Sequence, residues 1–486
     1  MSDTSGLNLR LGFAIAAGAI GSSFQHGWAT GVVNCPQWFV MSWIRGCNAS
    51  LPDISESENV TDPDNIYTTC RMTQAEVTGI FSIVVSIFCV GGIVGGCSVG
   101  LLSSKLGRRG GLLFNNIFML LGGLLMLGSK YADSYEMLIA GRFFIGVNAG
   151  ISAGISPMYL TEISPTNLRG AVGTFYQLIM TMSILLSQII GMEGILGNDY
   201  GWSILFALTI VPGLFQLVTL PFCPESPKFL LLDRGDEGRA LNALSWLRGR
   251  DDLQAEMIEM KMEQQRMKMT PRINFKEMFT NPELRAPLFI ALMMMLAQQL
   301  SGINAAIFFS TKIFEEAGLS SQSAQSATLG MGGMNVAMTF ISLVMIEKAG
   351  RKTLMLSGLM IMLISTTSLL ACLLVTSSVA SYLSIVFVIT FVVGFATGPG
   401  SIPWFFVNEL FQQSARPMAA SMAVATNWAA NYVVAQSFPI AQFAIGSYVF
   451  IAFIVTQVVF ITYVWFKVPE TKNKTIDEIF AQFQRN

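Results

Sequence analysis

Long apolar runs alternate with short polar breaks along the chain. Twelve runs fall at about 9–33, 73–102, 110–129, 136–161, 171–192, 202–222, 286–314, 324–346, 353–375, 380–410, 418–443 and 446–467. At ~1.5 Å per residue each can cross the ~30 Å hydrocarbon core of a bilayer. The pattern therefore predicts an all-α membrane protein with twelve transmembrane helices. Two stretches interrupt it. Residues 34–72 are polar, and residues 223–285 hold 11 Lys/Arg and 11 Asp/Glu, reading as a charged helix from Asp251 to Met269. The expected organisation is a six-helix bundle over 1–222, a helical linker over 223–285, a second bundle over 286–467 and a tail over 468–486.

The two bundles repeat one another. Lys105-Leu106-Gly107-Arg108-Arg109 returns as Lys348-Ala349-Gly350-Arg351-Lys352, 243 positions later. Glu162 and Arg169 return as Glu409 and Arg416, offset 247, and Pro224-Glu225-Ser226 returns as Pro469-Glu470-Thr471, offset 245. An even number of spans per repeat makes the repeats parallel, related by an axis along the membrane normal. A central cavity belongs between them.

Composition agrees with the membrane. Charged residues make up 12% of the chain, against about 25% in soluble domains. A net charge of -1 gives no bias toward nucleic acid. The seven cysteines form no metal-binding spacing, one histidine limits most catalytic schemes, and no phosphate loop is evident. Neither an enzyme nor a cofactor or metal site is expected. The first apolar run reads as a span rather than a cleavable signal. With both termini in the cytoplasm, 24 of the 29 Lys/Arg fall on the inner side. The 34–72 loop then lies outside, with Asn48 and Asn59 as glycosylation candidates and Cys47 and Cys70 as an optional pair.

The candidate chemistry centres on Ala297-Gln298-Gln299-Leu300-Ser301-Gly302-Ile303-Asn304. Three carboxamides near mid-depth are costly without partners, and Gly302 weakens the helix beside them. Taken alone, the stretch reads equally as a cavity for a neutral, hydrogen-bonding solute or as polar glue between helices.

The segments GLLSSKLGRRG, GRFFIGVNAG, MYLTEISPTNLRGAVGT, PESPKFLL, QQLSGINA, GPGSIPWF, NELFQQSARP and VPETKNKT resemble the sugar porter family of the major facilitator superfamily, and within it the animal facilitative glucose transporters. The resemblance runs from about Gly21 to Ile479. It implies alternating-access uniport of a hexose, D-glucose first, across the plasma membrane, with no cofactor and with an open oligomeric state. It implies that sugar hydroxyls are held by Gln177, Gln298, Gln299, Asn304, Asn335, Asn427 and Asn431, with Phe395, Trp404 and Trp428 as apolar faces. Carboxamides suit vicinal hydroxyls because each offers two donors and an acceptor without a desolvated charge. It further implies a cytoplasmic gate in which Glu162, Glu225, Glu347, Glu409 and Glu470, with Arg169 and Arg416, pair with Arg108, Arg109, Arg351 and Lys352 across the two bundles. Proton-coupled relatives carry an Asp in span one where this chain has Ala29, and no span has a carboxylate at mid-depth, which argues for uniport over symport. His26, in span one, is expected to be a packed ring. Met295-Leu296-Ala297 replaces the Gln-Leu-Ser of glucose-selective members, and Tyr176 stands where His is common. Broader hexose use, including galactose, mannose or fructose, is therefore the alternative.

Overall fold

A computed structural model describes residues 8–46, 72–165, 168–250, 252–269, 273–375, 377–411 and 415–472. Asn48, Asn59, Cys47 and Cys70 lie outside the described residues. Helices dominate, and the first follows directly from sequence, whereas the second lies in the stretch read as a polar loop. α1 (Leu9–Gly31) is capped by the Asn8 side chain, which accepts from Leu11 N, while its amide donates to Leu247 O at 2.8 Å and ties the chain start to the insert. A short amphipathic α2 (Gln37–Arg45) follows.

α3 (Gln74–Tyr131) opens on a capping box between Thr73 and Glu76, and it is two crossings joined at Gly107. Gly107 has φ 81°, and a Cβ there would lie 2.4 Å from Glu225 Oε2, so only glycine fits the corner. α4 (Tyr135–Ile163), α5 (Arg169–Ile190) and the pair α6 (Trp202–Ala207) and α7 (Ile210–Thr219) complete six crossings. The insert carries α8 (Glu237–Arg248), α9 (Gln254–Met269) and α10 (Phe275–Thr280). One charged helix was expected there. That helix is α9, and turn signals such as Gly249 (φ 64°) and the Asn274 capping box set it apart from α8 and α10 on either side.

The second set of six crossings comprises α11 (Pro282–Leu300) with α12 (Ile303–Glu316), α13 (Ser321–Lys348), α14 (Arg351–Leu374), α15 (Ser378–Thr397) with α16 (Ile402–Leu410), α17 (Arg416–Ile445) and α18 (Phe450–Lys467). Two of these crossings are broken. Gly302 at φ 100° separates α11 from α12, and Gly398 to Ser401 separates α15 from α16. Among the described residues, seven stretches are long and apolar enough to cross a membrane, and two of them, Gln74–Tyr131 and Arg416–Lys467, carry two crossings each. α1, α5 and α13 are outside that set. α1 is largely buried, so it can carry glycines and polar side chains that lipid-facing helices cannot. Lipid-facing positions are apolar, as at Val218, Val386 and Phe466, which are 66%, 53% and 72% exposed.

Helices approach closely where side chains are small. A Cβ on Gly91 or Gly95 of α3 would lie 2.2 Å from a carbonyl oxygen of α4, the close-packed crossing typical of membrane bundles. The two sets of six meet along α3 against α17 and α5 against α13. One end of the molecule carries the insert, the start of α1 and the end of α18; the opposite end is called the far end below.

Candidate functional site

The break between α11 and α12 sets the amides. Gln298 and Gln299 close α11, and Asn304 opens α12. Gln298 Nε2 donates to Pro399 O at 2.9 Å and to Gly400 O at 2.7 Å, both in the break between α15 and α16. Its Oε1 accepts from Asn427 Nδ2 of α17 at 2.6 Å. Gln299 Nε2 donates to Asn427 Oδ1 at 2.9 Å, and Asn304 Nδ2 donates to Gln299 Oε1. Four buried carboxamides thus form one chain of hydrogen bonds linking two broken helices to α17. Each bond contributes ~0.5–1.5 kcal/mol, and leaving one unmade costs more. Cavity lining and glue are therefore the same residues. Asn431, one turn beyond Asn427, is buried with Oδ1 unpartnered among the described residues. Fully buried Met295 places Sδ 3.5 Å from Asn427 Nδ2.

The remaining predicted residues fall around this chain without joining it. Phe395 is half-buried, and its carbonyl accepts from Gly400 N at 2.8 Å, which bends the backbone at the break. Trp404, on α16, is 40% exposed. Trp428 is buried between the two halves, stacked on His26 with centroids 5.7 Å apart and edge-on to Phe88 at 5.6 Å. Packing explains Trp428 in this arrangement. Gln177 on α5 and Asn335 on α13 are half-buried, with no side-chain hydrogen bond among the described residues.

Two features escaped the sequence. Asn34, fully buried after α1, donates Nδ2 to Ile307 O at 2.8 Å and to Ser310 Oγ at 2.7 Å, and its Oδ1 accepts from Thr311 N at 3.2 Å. This clasp joins the first half to α12 at the far end. Ser86 with Gln436 (2.5 Å) and Glu193 N with Gln325 (3.1 Å) add bonds between the halves above mid-depth. Arg142 is fully buried, donating to Ala29 O at 2.7 Å and Val84 O at 3.2 Å, with its guanidinium 4.7 Å from the Phe88 centroid. Only its Arg identity within an apolar run signalled it.

At the insert end the carboxylates depart from expectation. Glu225 accepts from the backbone N–H of Arg108, Arg109 and Gly110 at 2.9–3.3 Å, capping the second leg of α3. Glu470 does the same for Arg351 and Lys352 at 2.8 and 3.1 Å, capping α14. Arg108 pairs with Glu162 at 2.9 Å and Arg351 with Glu409 at 3.1 Å. Ser226 donates to Glu162 and Thr471 to Glu409. These pairs were expected to bridge the two bundles. Each closes within one half instead, because the helix starts that donate to the carboxylate belong to the same repeat as the acid. Lys352 donates to Trp465 O, Arg109 to Cys223 O and Arg416 to Phe411 O. The side chains of Arg169 and Glu347 lie outside the described residues.

Comparison with known proteins follows the same lines. Residues 14–483 match the family described as Sugar (and other) transporter. Solute carrier family 2, facilitated glucose transporter member 1 of Gallus gallus is 42% identical, covering 100% of this chain and 96% of its own length. Facilitated glucose transporter protein 1 of Caenorhabditis elegans is 43% identical, over 96% of this chain and 89% of its own. Among solved structures, the partially occluded inward-open xylose transporter XylE from E. coli superposes with a TM-score of 0.77 at 22% identity, covering 96% of this chain and 100% of XylE. The same transporter bound to 6-bromo-6-deoxy-D-glucose, titled a major facilitator superfamily proton:xylose symporter, gives 0.74 at 22% identity, covering 97% and 98%.

Proposed function

The chain belongs to the sugar transporter family, and from that premise we propose that it carries a hexose, D-glucose first, across the plasma membrane by facilitative alternating access. The observation that carries this reading is the chain of four neutral carboxamides at a double helix break. A sugar hydroxyl both donates and accepts, so it can replace these bonds one for one, and Asn431 Oδ1 supplies an acceptor that is otherwise unpaired. Gln177, Asn335, Phe395 and Trp404 complete the reading as further substrate contacts on neighbouring helices.

Alternating access follows from where the halves are joined. The described bonds between them lie from mid-depth to the far end, where the Asn34 clasp and the Glu193–Gln325 bond sit. At the insert end the described ion pairs stay within a half or reach the insert. Opening the far end means releasing α12 from Asn34, with Gly302 as the joint. The carboxylate cradles, with Arg169, Glu347 and Arg416, serve as the gate at the insert end. They hold the helix starts of each half as rigid faces that close on one another in the opposite state. The excess of positive charge at that end supports a cytoplasmic orientation for it.

Uniport is supported by Arg142. Among the described residues it is the charged one that is fully buried, its bonds go to backbone carbonyls, including that of Ala29, and it pairs with no carboxylate. A broader hexose range has its own support: Met295 engages Asn427 through a thioether, where an amide would offer a further donor. Counterflow of labelled hexoses in proteoliposomes tests the reading. Glucose should equilibrate without accumulating and without alkalinising the medium. Sugar-driven proton uptake would overturn uniport, and absence of exchange with every hexose would overturn transport.

A further inference from the structure

His26 is the single histidine of the chain. Its neighbours Gln25, Gly27 and Trp28 are buried, yet the imidazole is half-buried. Protein meets it on every side that is occupied. Tyr176 Oη of α5 lies 3.3 Å from Nδ1, Phe88 of α3 is 6.4 Å away between centroids, and Trp428 of α17 covers one face at 5.7 Å and 23°. Helices of both halves surround the ring, so its remaining exposed surface opens into the space between the halves and not toward lipid. Nε2 has no hydrogen-bond partner among the described residues. Tyr176 precedes Gln177 on α5, and Trp428 follows Asn427 on α17, so the ring lies at the level of both halves' candidate sugar amides.

We infer that His26 is a specificity-determining sugar contact. Nε2 takes one hydroxyl of the hexose, while the Tyr176 hydroxyl, which can donate to or accept from Nδ1, holds the imidazole in the orientation that presents Nε2. The stack on Trp428 holds the ring plane, so packing and recognition use different parts of one side chain. This rests on the hexose reading above.

The test uses the full chain in proteoliposomes, with glucose and a panel of deoxyglucoses each lacking one hydroxyl. His26→Phe keeps the stack on Trp428 and removes both nitrogens. It should raise KM for glucose roughly three- to tenfold, the worth of one hydrogen bond, with little change in maximal rate. It should also lose discrimination against one deoxy analogue while keeping it against the others. His26→Gln restores a donor and an acceptor and should recover part of the affinity. Tyr176→Phe should weaken the same discrimination without abolishing it. A His26→Phe protein with unaltered KM and analogue profile would show that the ring only packs, as would a loss of rate common to all sugars. Failure of the unaltered chain to exchange any hexose would instead sink the transport reading, and this one with it.

Discussion

Gln298 uses both amide hydrogens and its carbonyl on three different partners, so its removal is felt beyond the sugar. Gln298→Leu strands Pro399 O, Gly400 O and one Asn427 hydrogen, each at ~1–3 kcal/mol when buried. Hexose counterflow should disappear with expression intact, and thermal unfolding should move to lower temperature. Normal uptake would overturn the site. Met295→Leu should leave folding nearly unchanged, being close in volume, and should alter the ranking of hexoses in competition assays if the thioether positions Asn427. At this scale the amides on α11 and α12 were legible because three of them sit within seven positions of a long apolar run. Their mutual saturation was not legible, since it depends on how α17 is rotated about its axis. Asn34 went unnoticed for a related reason. It ends a span as a polar residue commonly does, and its three partners are more than 270 positions away.

Helix breaks decide which elements can move separately. Gly302 holds φ 100°, and a Cβ there would meet the Phe453 ring at 3.0 Å. Gly302→Ala should cost ~1–2 kcal/mol in backbone strain alone, lower the unfolding temperature and slow exchange between open states. Asn34→Val removes the clasp while preserving bulk. Hydrogen exchange should then accelerate across α12 and leave α11 unchanged; equal acceleration in both would show that they move as one. Element positions came through well from hydrophobic runs, because burial in lipid demands apolar length. Corners came through less well. The second and third crossings read as separate runs, whereas the backbone turns between them in a single glycine conformation set by a carboxylate 118 positions away. The insert was underdivided because polar helices lack a periodic apolar signal.

Across the whole molecule the repeat is structural as well as textual. Glu225 and Glu470 perform one task in two places, so Glu225→Gln and Glu470→Gln should each lower stability by a similar margin. Their effects should add, because separated sites with no shared partner are independent. Calorimetry on the two single variants and the double variant checks this. Twelve crossings and their pairing into halves were readable from run lengths and motif offsets. Which half each carboxylate serves was not, because spacing along the chain carries no information about which helix start turns toward which acid. The answer has a consequence for how the chain can be made. Each half contains its own cap, its own ion pair and its own hydroxyl donor, and none of those residues falls in sequence between α9 and α10. A gene divided there should yield two polypeptides that, produced together, find one another in the membrane and restore counterflow without a covalent link.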